Sequence, residues 1–439
     1  MTEKWMQRHK NLLAYKNNTI FKLLLLKFIT YPIIGFSTLV AFRFVRVRFT
    51  LEEFNLFVLM WSSIGIIGIA EYGLGVNLTN HLLINGFDLE FKRKLKRFSF
   101  ILFTPLLIVF FIGLNPYLIS RLEKITGARE IAGLPLSQIL INVSLSVFFI
   151  TCYNLTTRIS NGVSRFSSPQ ITLAVGNVLA LVALVYLPKI STGITQYLVI
   201  LSGAYLFSAI FQLIDKQLWK ELNKGVPQSG QLEIVQKLTG RGYSWTILSI
   251  SLIVTYINFF PRWKFSSMAS EIETSGYLTI LMAFGVFSSL SSVLGPVIWN
   301  DGVNRKLDGV AHFPYKSLRV IGLVNLALLV PFFLLLFALS SFYRIELSGW
   351  QFYKSGILAY LLLSFQNLHI IASNYLVEQR ELTIQLCLVV MQAFCLTLLI
   401  IILDVKSSTT LYLIQTGIVL FISVLPSIII LRVKTTHEE

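Results

Sequence analysis

The residues with the most chemistry to offer lie inside or beside strongly apolar runs. Lys22 and Lys27 share the first run, with Arg43, Arg46 and Arg48 at its far end. Lys22 is near enough to the start of the run to reach lipid headgroups by snorkelling. Lys27 is about 7.5 Å deeper, at 1.5 Å of rise per residue. With Tyr31, Ile34 and Thr38 it forms an i, i+4, i+7, i+11 stripe that suits a watery cavity. In the fourth run Thr151, Asn154 and Arg158 share one helix face. The planar donor fork of Arg158 fits a diphosphate; its place at the end of the run fits interfacial anchoring equally well. The seventh run carries Ser249, Thr255 and Asn258. The tenth carries Gln366, Asn367, His369, Ser373 and Asn374, of which Gln366, His369 and Ser373 share a face. Such groups do not face lipid. They either bond neighbouring helices or form a substrate-facing wall, and His369 could also carry a proton. Glu71 ends the second run, where it either pairs with a basic neighbour or binds a coupling ion.

The elements that position these residues are membrane-spanning helices. The chain has 439 residues, 55% hydrophobic and 13% charged, with a mean hydropathy of +0.71. Soluble domains carry about 25% charged residues, so most of this chain cannot face water. A helix needs about 20 mostly apolar residues to cross a bilayer. That rule predicts spans near 18–42, 54–72, 98–120, 134–158, 170–188, 194–214, 243–261, 276–298, 317–342, 352–376, 381–403 and 408–431. The fifth is the shortest. The longest polar stretch between spans, 215–242, includes Lys224-Gly225-Val226-Pro227-Gln228-Ser229-Gly230 and separates six helices from six. The expected fold class is all-α: a polytopic membrane protein with about 12 transmembrane helices in two six-helix bundles around a central cavity. The bundles are 1–214 and 243–439, joined by a cytoplasmic linker.

The net charge of +16 is topological. With the N-terminus inside, inner segments hold 24 of the 37 lysines and arginines and outer segments 12, which favours cytoplasmic termini. No basic patch with interleaved aromatics sits on a soluble domain, which argues against nucleic acid. Cys152, Cys387 and Cys395 lie in apolar runs without disulfide or metal-ligand spacing, so no metal site is expected. No phosphate-binding glycine loop or nucleophile–base set appears, and the predicted outer loops are too short to hold a catalytic domain. A transporter is expected rather than an enzyme.

Several segments together resemble the polysaccharide transporter family of the multidrug/oligosaccharidyl-lipid/polysaccharide exporter superfamily, especially Wzx-type O-antigen flippases. They are Glu71-Tyr72-Gly73-Leu74-Gly75 after helix 2, Arg158-Ile159-Ser160-Asn161-Gly162 leading to Pro169-Gln170, and Gly295-Pro296-Val297-Ile298-Trp299-Asn300-Asp301 ending helix 8. The chain departs from the family pattern at Asn300-Asp301. The resemblance implies a flippase that moves an undecaprenyl-diphosphate-linked oligosaccharide from the cytoplasmic to the periplasmic leaflet of a bacterial inner membrane, by alternating access. The physical reading of the in-span polar groups fits that role: Lys22, Lys27, Asn154, Arg158, Asn258, Gln366, Asn367 and His369 are the expected substrate contacts, with Glu71 in ion coupling or a structural pair. The resemblance implies no cofactor beyond H+ or Na+ coupling. The implied partners are the lipid-linked substrate, membrane lipids, and a polysaccharide polymerase with its chain-length regulator. An ion-coupled drug or metabolite exporter of the same superfamily is the alternative, followed by a membrane glycosyltransferase or ligase.

Overall fold

The computed structural model describes residues 26, 29–30, 32–69, 78–79, 81–82, 86–126, 130–131, 133–163, 165, 167–186, 193–222, 241–292, 315–343, 349–375 and 379–438. Lys22, Lys27 and Glu71 lie outside them, as do the 71–77 and 295–301 motifs and most of the 215–242 linker.

The protein is an all-α polytopic membrane protein. Its long helices are α1 (32–48), α2 (Leu51–Ile69), α3 (Leu89–Leu114), α5 (Leu136–Gly162), α6 (Ser167–Tyr186) and α7 (Ile194–Ile214). Then follow α9 (Arg241–Met268), α10 (Glu271–Ser292), α11 (Tyr315–Tyr343), α12 (Gly349–Tyr375) and α13 (Gln379–Ile402). The last is continuous: α14 (Ser408–Ile418), a π-helical turn (Val419–Val424) and α15 (Leu425–Glu438). Two short helices, α4 (Pro116–Thr126) and α8 (Lys216–Leu222), lie between them, and a two-residue hairpin pairs Glu130–Ile131 with Leu134–Pro135. Among the described residues seven helices are long and apolar enough to cross a membrane.

Local chemistry sets the helix ends. Thr50 and Glu53 form a capping box at the start of α2: the Thr50 N–H donates to the Glu53 carboxylate (2.9 Å) and the Glu53 N–H to the Thr50 hydroxyl (3.3 Å). Asp88 caps α3 by accepting from the Phe91 N–H at 2.6 Å. Asn115 ends α3 and begins α4, accepting from the Tyr117 and Leu118 amides at 3.0 and 3.3 Å. Pro116 takes the first helical position, where no donor is needed. The predicted third span therefore differs from the structure. It starts at Leu89 and breaks at Asn115 because an asparagine cap and a proline interrupt an apolar run. The fifth span, shortest in the sequence, forms an unbroken 20-residue helix. It packs tightly on α7, since a Cβ on Gly176 would lie 2.6 Å from the Ala204 carbonyl oxygen.

Helices α2, α3, α5, α6 and α7 pack among themselves, as do α9 to α15, and α2 also touches α9 and α10. One apolar core runs from Phe42 and Phe57 through Phe284 and Phe332 to Val424. Hydrogen bonds between the first six helices and the last six lie toward the face that holds the α1–α2 turn. Arg43 donates to the Phe342 carbonyl and covers its ring at 5.1 Å. The Tyr343 hydroxyl donates to the Leu39 carbonyl (3.1 Å), Asn55 Nδ2 to the Glu271 carbonyl (3.4 Å), and Trp263 Nε1 to Ser63 Oγ (2.8 Å). The two sets of helices are thus bonded together at that face.

Candidate functional site: a donor-rich cavity in the last six helices

A small open cavity lies between α9, α10, α12, α13 and α14. Its polar lining is Asn258, Arg262, Tyr277, Gln366, Gln392, Tyr412 and Gln415; its apolar lining includes Ile257, Leu281, Phe284 and Leu396. Among the described residues no carboxylate lines it.

Arg262 is placed here by the length of α9. Sequence reasoning ends the seventh span at Pro261, which leaves Arg262 in an outer loop. The helix in fact continues through Pro261 to Met268. Proline removes one hydrogen bond from the ladder, but α9 packs against α13 and α2, and Trp263, two residues past the proline, is bonded to Ser63 of α2. Arg262 therefore lies within the helix, one turn beyond Asn258, on a wall of the cavity. Tyr277 and Tyr412 are close enough to interact with it electrostatically.

The two tyrosines owe their register to contacts one turn away. Glu273 accepts from the Ser408 N–H at 3.1 Å, a carboxylate on the positive end of α14. Ser355 on α12 bonds Ser408 (3.1 Å) and Thr409 (2.7 Å). Four residues on from Glu273 and Ser408, the Tyr277 and Tyr412 rings meet at 5.3 Å, both buried to 1% exposure. Below them the π turn carries Ser423, whose hydroxyl donates to Gln392 Oε1 at 2.8 Å. An i→i+5 turn adds a residue to the helix circumference, a feature frequent at functional sites.

Of the sequence-predicted residues, Asn258 and Gln366 meet in this cavity. Asn258 spends its amino group on the Val254 carbonyl (2.8 Å). Asn367 points elsewhere: buried at 4% exposure, it donates to Asn325 Oδ1 on α11 at 2.7 Å. His369 sits one turn beyond Gln366, with Nδ1 buried and without a hydrogen-bond partner among the described residues. Asn154 and Arg158 belong to α5, outside this cavity, and each has a bonding or electrostatic partner. Arg262, Gln392 and Gln415 are the residues that sequence reasoning missed. The signal for Arg262 was an arginine directly after an in-span proline.

A second polar cluster lies beside the start of α3. His81, Asp88 and Glu90 bring one ligand atom each within 4.8 Å of one another. His81 Nε2 meets Asp88 Oδ1 at 2.9 Å, and Lys94 Nζ lies 3.1 Å from His81 Nδ1 and 2.9 Å from Glu90. The lysine ammonium thus fills the place a metal ion would take. Burial raises the Asp88 carboxyl, but the Phe91 N–H, His81 and Lys94 together outweigh it and hold it below the usual range.

No protein-family model matches the chain, and the curated proteins contain no match. Solved structures do match it over nearly its full length. An inward-facing multidrug resistance MATE family transporter of the MOP superfamily aligns at a TM-score of 0.56 and 14% identity, covering 92% of this chain and 95% of that one. An outward-facing MATE family transporter gives 0.58 and 13%, covering 96% of each. A MOP superfamily transporter from Pyrococcus furiosus Vc1, described as having a binding pocket of reverse polarity that suggests a different function, gives 0.59 and 14%, again over 96% of each. At these identities the likeness establishes the fold alone: the chain folds as these solved transporters do.

Proposed function

We propose that this protein is a flippase that carries an undecaprenyl-diphosphate-linked oligosaccharide from the cytoplasmic to the periplasmic leaflet of a bacterial inner membrane. The reading rests on the superfamily fold and on one observation about charge. Among the described residues every carboxylate lies in a terminal turn, a short helix or a connection, whereas Arg262 faces a cavity inside the helices. Ionisable groups at that depth are expensive and mark transport pathways. A fixed positive charge on a wall with no carboxylate among the described residues opposes a cationic drug, which leaves the lipid-linked sugar as the cargo.

Bonds between the two sets of helices at the α1–α2 face fit one end state of an alternating-access cycle. Lys22, Lys27 and Arg158 would then bring positive charge toward the opposite, cytoplasmic side. Deletion of the gene tests the reading: lipid-linked sugar units should accumulate on the cytoplasmic leaflet, surface glycan should disappear, and drug susceptibility should be unchanged. The neighbours described as multidrug transporters favour a second reading, an ion-coupled exporter. Altered drug susceptibility with intact surface glycan would establish that one instead.

A further inference from the structure

We propose that the cavity beside Arg262 is a binding site for chloride. The inference goes beyond the flippase reading and does not depend on the transported substrate, because among the described residues every one that lines the cavity comes from the last six helices.

Arg262 lines the cavity, and among the described residues no carboxylate lines it and none pairs with Arg262. A cation in a low-dielectric wall is strongly stabilised by a counter-ion, and the described residues supply none there. The neutral groups around it then decide what that counter-ion is. Gln392 is buried to 9% exposure, and its oxygen is taken by the Ser423 hydroxyl, which leaves its amino group to the cavity. Ser423 can reach it because the π turn at Val419–Val424 displaces that stretch of helix. Gln366 and Gln415 bring two more amides, and Tyr277 brings a phenol.

These groups form a set of N–H and O–H donors around one fixed positive charge. Chloride accepts hydrogen bonds, donates none and has no preferred ligand geometry, so it matches such a set. A metal ion would be repelled by the guanidinium. A lipid-linked diphosphate would have to leave the seam between the two sets of helices to enter. The Asn258, Gln366 and Gln415 oxygens are the opposing features; the Asn258 amino group is bonded to the Val254 carbonyl, whereas either glutamine can turn its amino group toward the ion. A bound chloride would join α9 to α10, α12, α13 and α14 through shared hydrogen bonds, so it should stabilise the fold.

The test uses the purified full-length protein in detergent, with sodium chloride, bromide or gluconate at equal ionic strength. Chloride and bromide should raise the melting temperature saturably where gluconate does not, because only an ion that binds the folded state stabilises it. Arg262→Gln should move the halide midpoint up by about tenfold or more, the loss of a charged hydrogen-bond partner. If that variant does not fold, Gln415→Leu and the wild-type titration serve in its place. Crystals grown in bromide should show an anomalous peak beside Arg262. Identical melting of the wild type in halide and gluconate overturns the proposal. So does stabilisation by inorganic pyrophosphate alone, which would give the site to the substrate headgroup. Neither result bears on glycan export in the deletion strain, so the two readings fail separately.

Discussion

Ser63→Ala should open the face that holds the α1–α2 turn. Ser63 is 5% exposed, and its hydroxyl accepts from Trp263 Nε1 at 2.8 Å while donating to the Leu59 carbonyl at 2.7 Å. Alanine removes the acceptor without filling new space, so the indole N–H of Trp263 is left half-buried with no partner. A stranded buried donor costs about 1–3 kcal/mol, and partial exposure of Trp263 puts the figure at about 1–2 kcal/mol. The cost falls on the closed arrangement alone, since separation of α2 from α9 lets water reach the indole. A penalty of that size shifts a two-state ratio by about 5- to 30-fold. Spin labels at Glu52 and Glu271, both exposed at this face, report the separation once Cys152, Cys387 and Cys395 are replaced. Pulsed dipolar distances should gain a longer component in Ser63→Ala and keep the original one in a Gly203→Ala control, where a Cβ meets nothing within 4 Å. A distance distribution identical to the control refutes the idea that this bond helps hold the face shut.

Other outcomes follow from the same contacts. Gly176→Ala places a methyl group against the Ala204 backbone, which cannot rotate away; overpacking of this kind costs about 1–3 kcal/mol, so thermal inactivation in detergent should be markedly faster than for Gly203→Ala. Asn325→Leu strands the buried Asn367 amide and should destabilise by about 1–3 kcal/mol, while Asn325→Leu with Asn367→Leu should recover part of the loss in the same unfolding assay. Asp88 is held below the usual carboxylate range, so its support of the α3 cap is complete above that range and is lost as pH falls through the lowered value. Hydrogen exchange at the Phe91 amide should therefore accelerate at acid pH in the wild type. Asp88→Asn keeps a capping oxygen and should abolish that pH dependence.

The membrane-spanning architecture was legible in the amino-acid sequence because lipid imposes it. A bilayer of fixed thickness and a helix of fixed rise require apolar runs of nearly fixed length. The sixth predicted span, 194–214, therefore coincides with Ile194–Ile214 in the structure. Local punctuation was readable in part: the asparagine and proline at 115–116 carry a helix break that an apolarity rule overrides. Asn258 and Gln366 were identified for the same reason that Asn367 was, since amides inside a span must meet a partner. Which of them line a cavity and which bond a neighbouring helix was undetermined. In lipid a helix can be apolar all around, so its sequence does not mark the face that meets another helix. The cavity exists because Asn258, Tyr277, Gln366, Gln392 and Gln415, on five different helices, turn toward one another. Packing made that choice, and the same packing carried α9 through Pro261 and placed Arg262 on the wall. The sequence by itself determined that polar groups lie within the spans; only the tertiary structure decided which of them share a cavity around a positive charge.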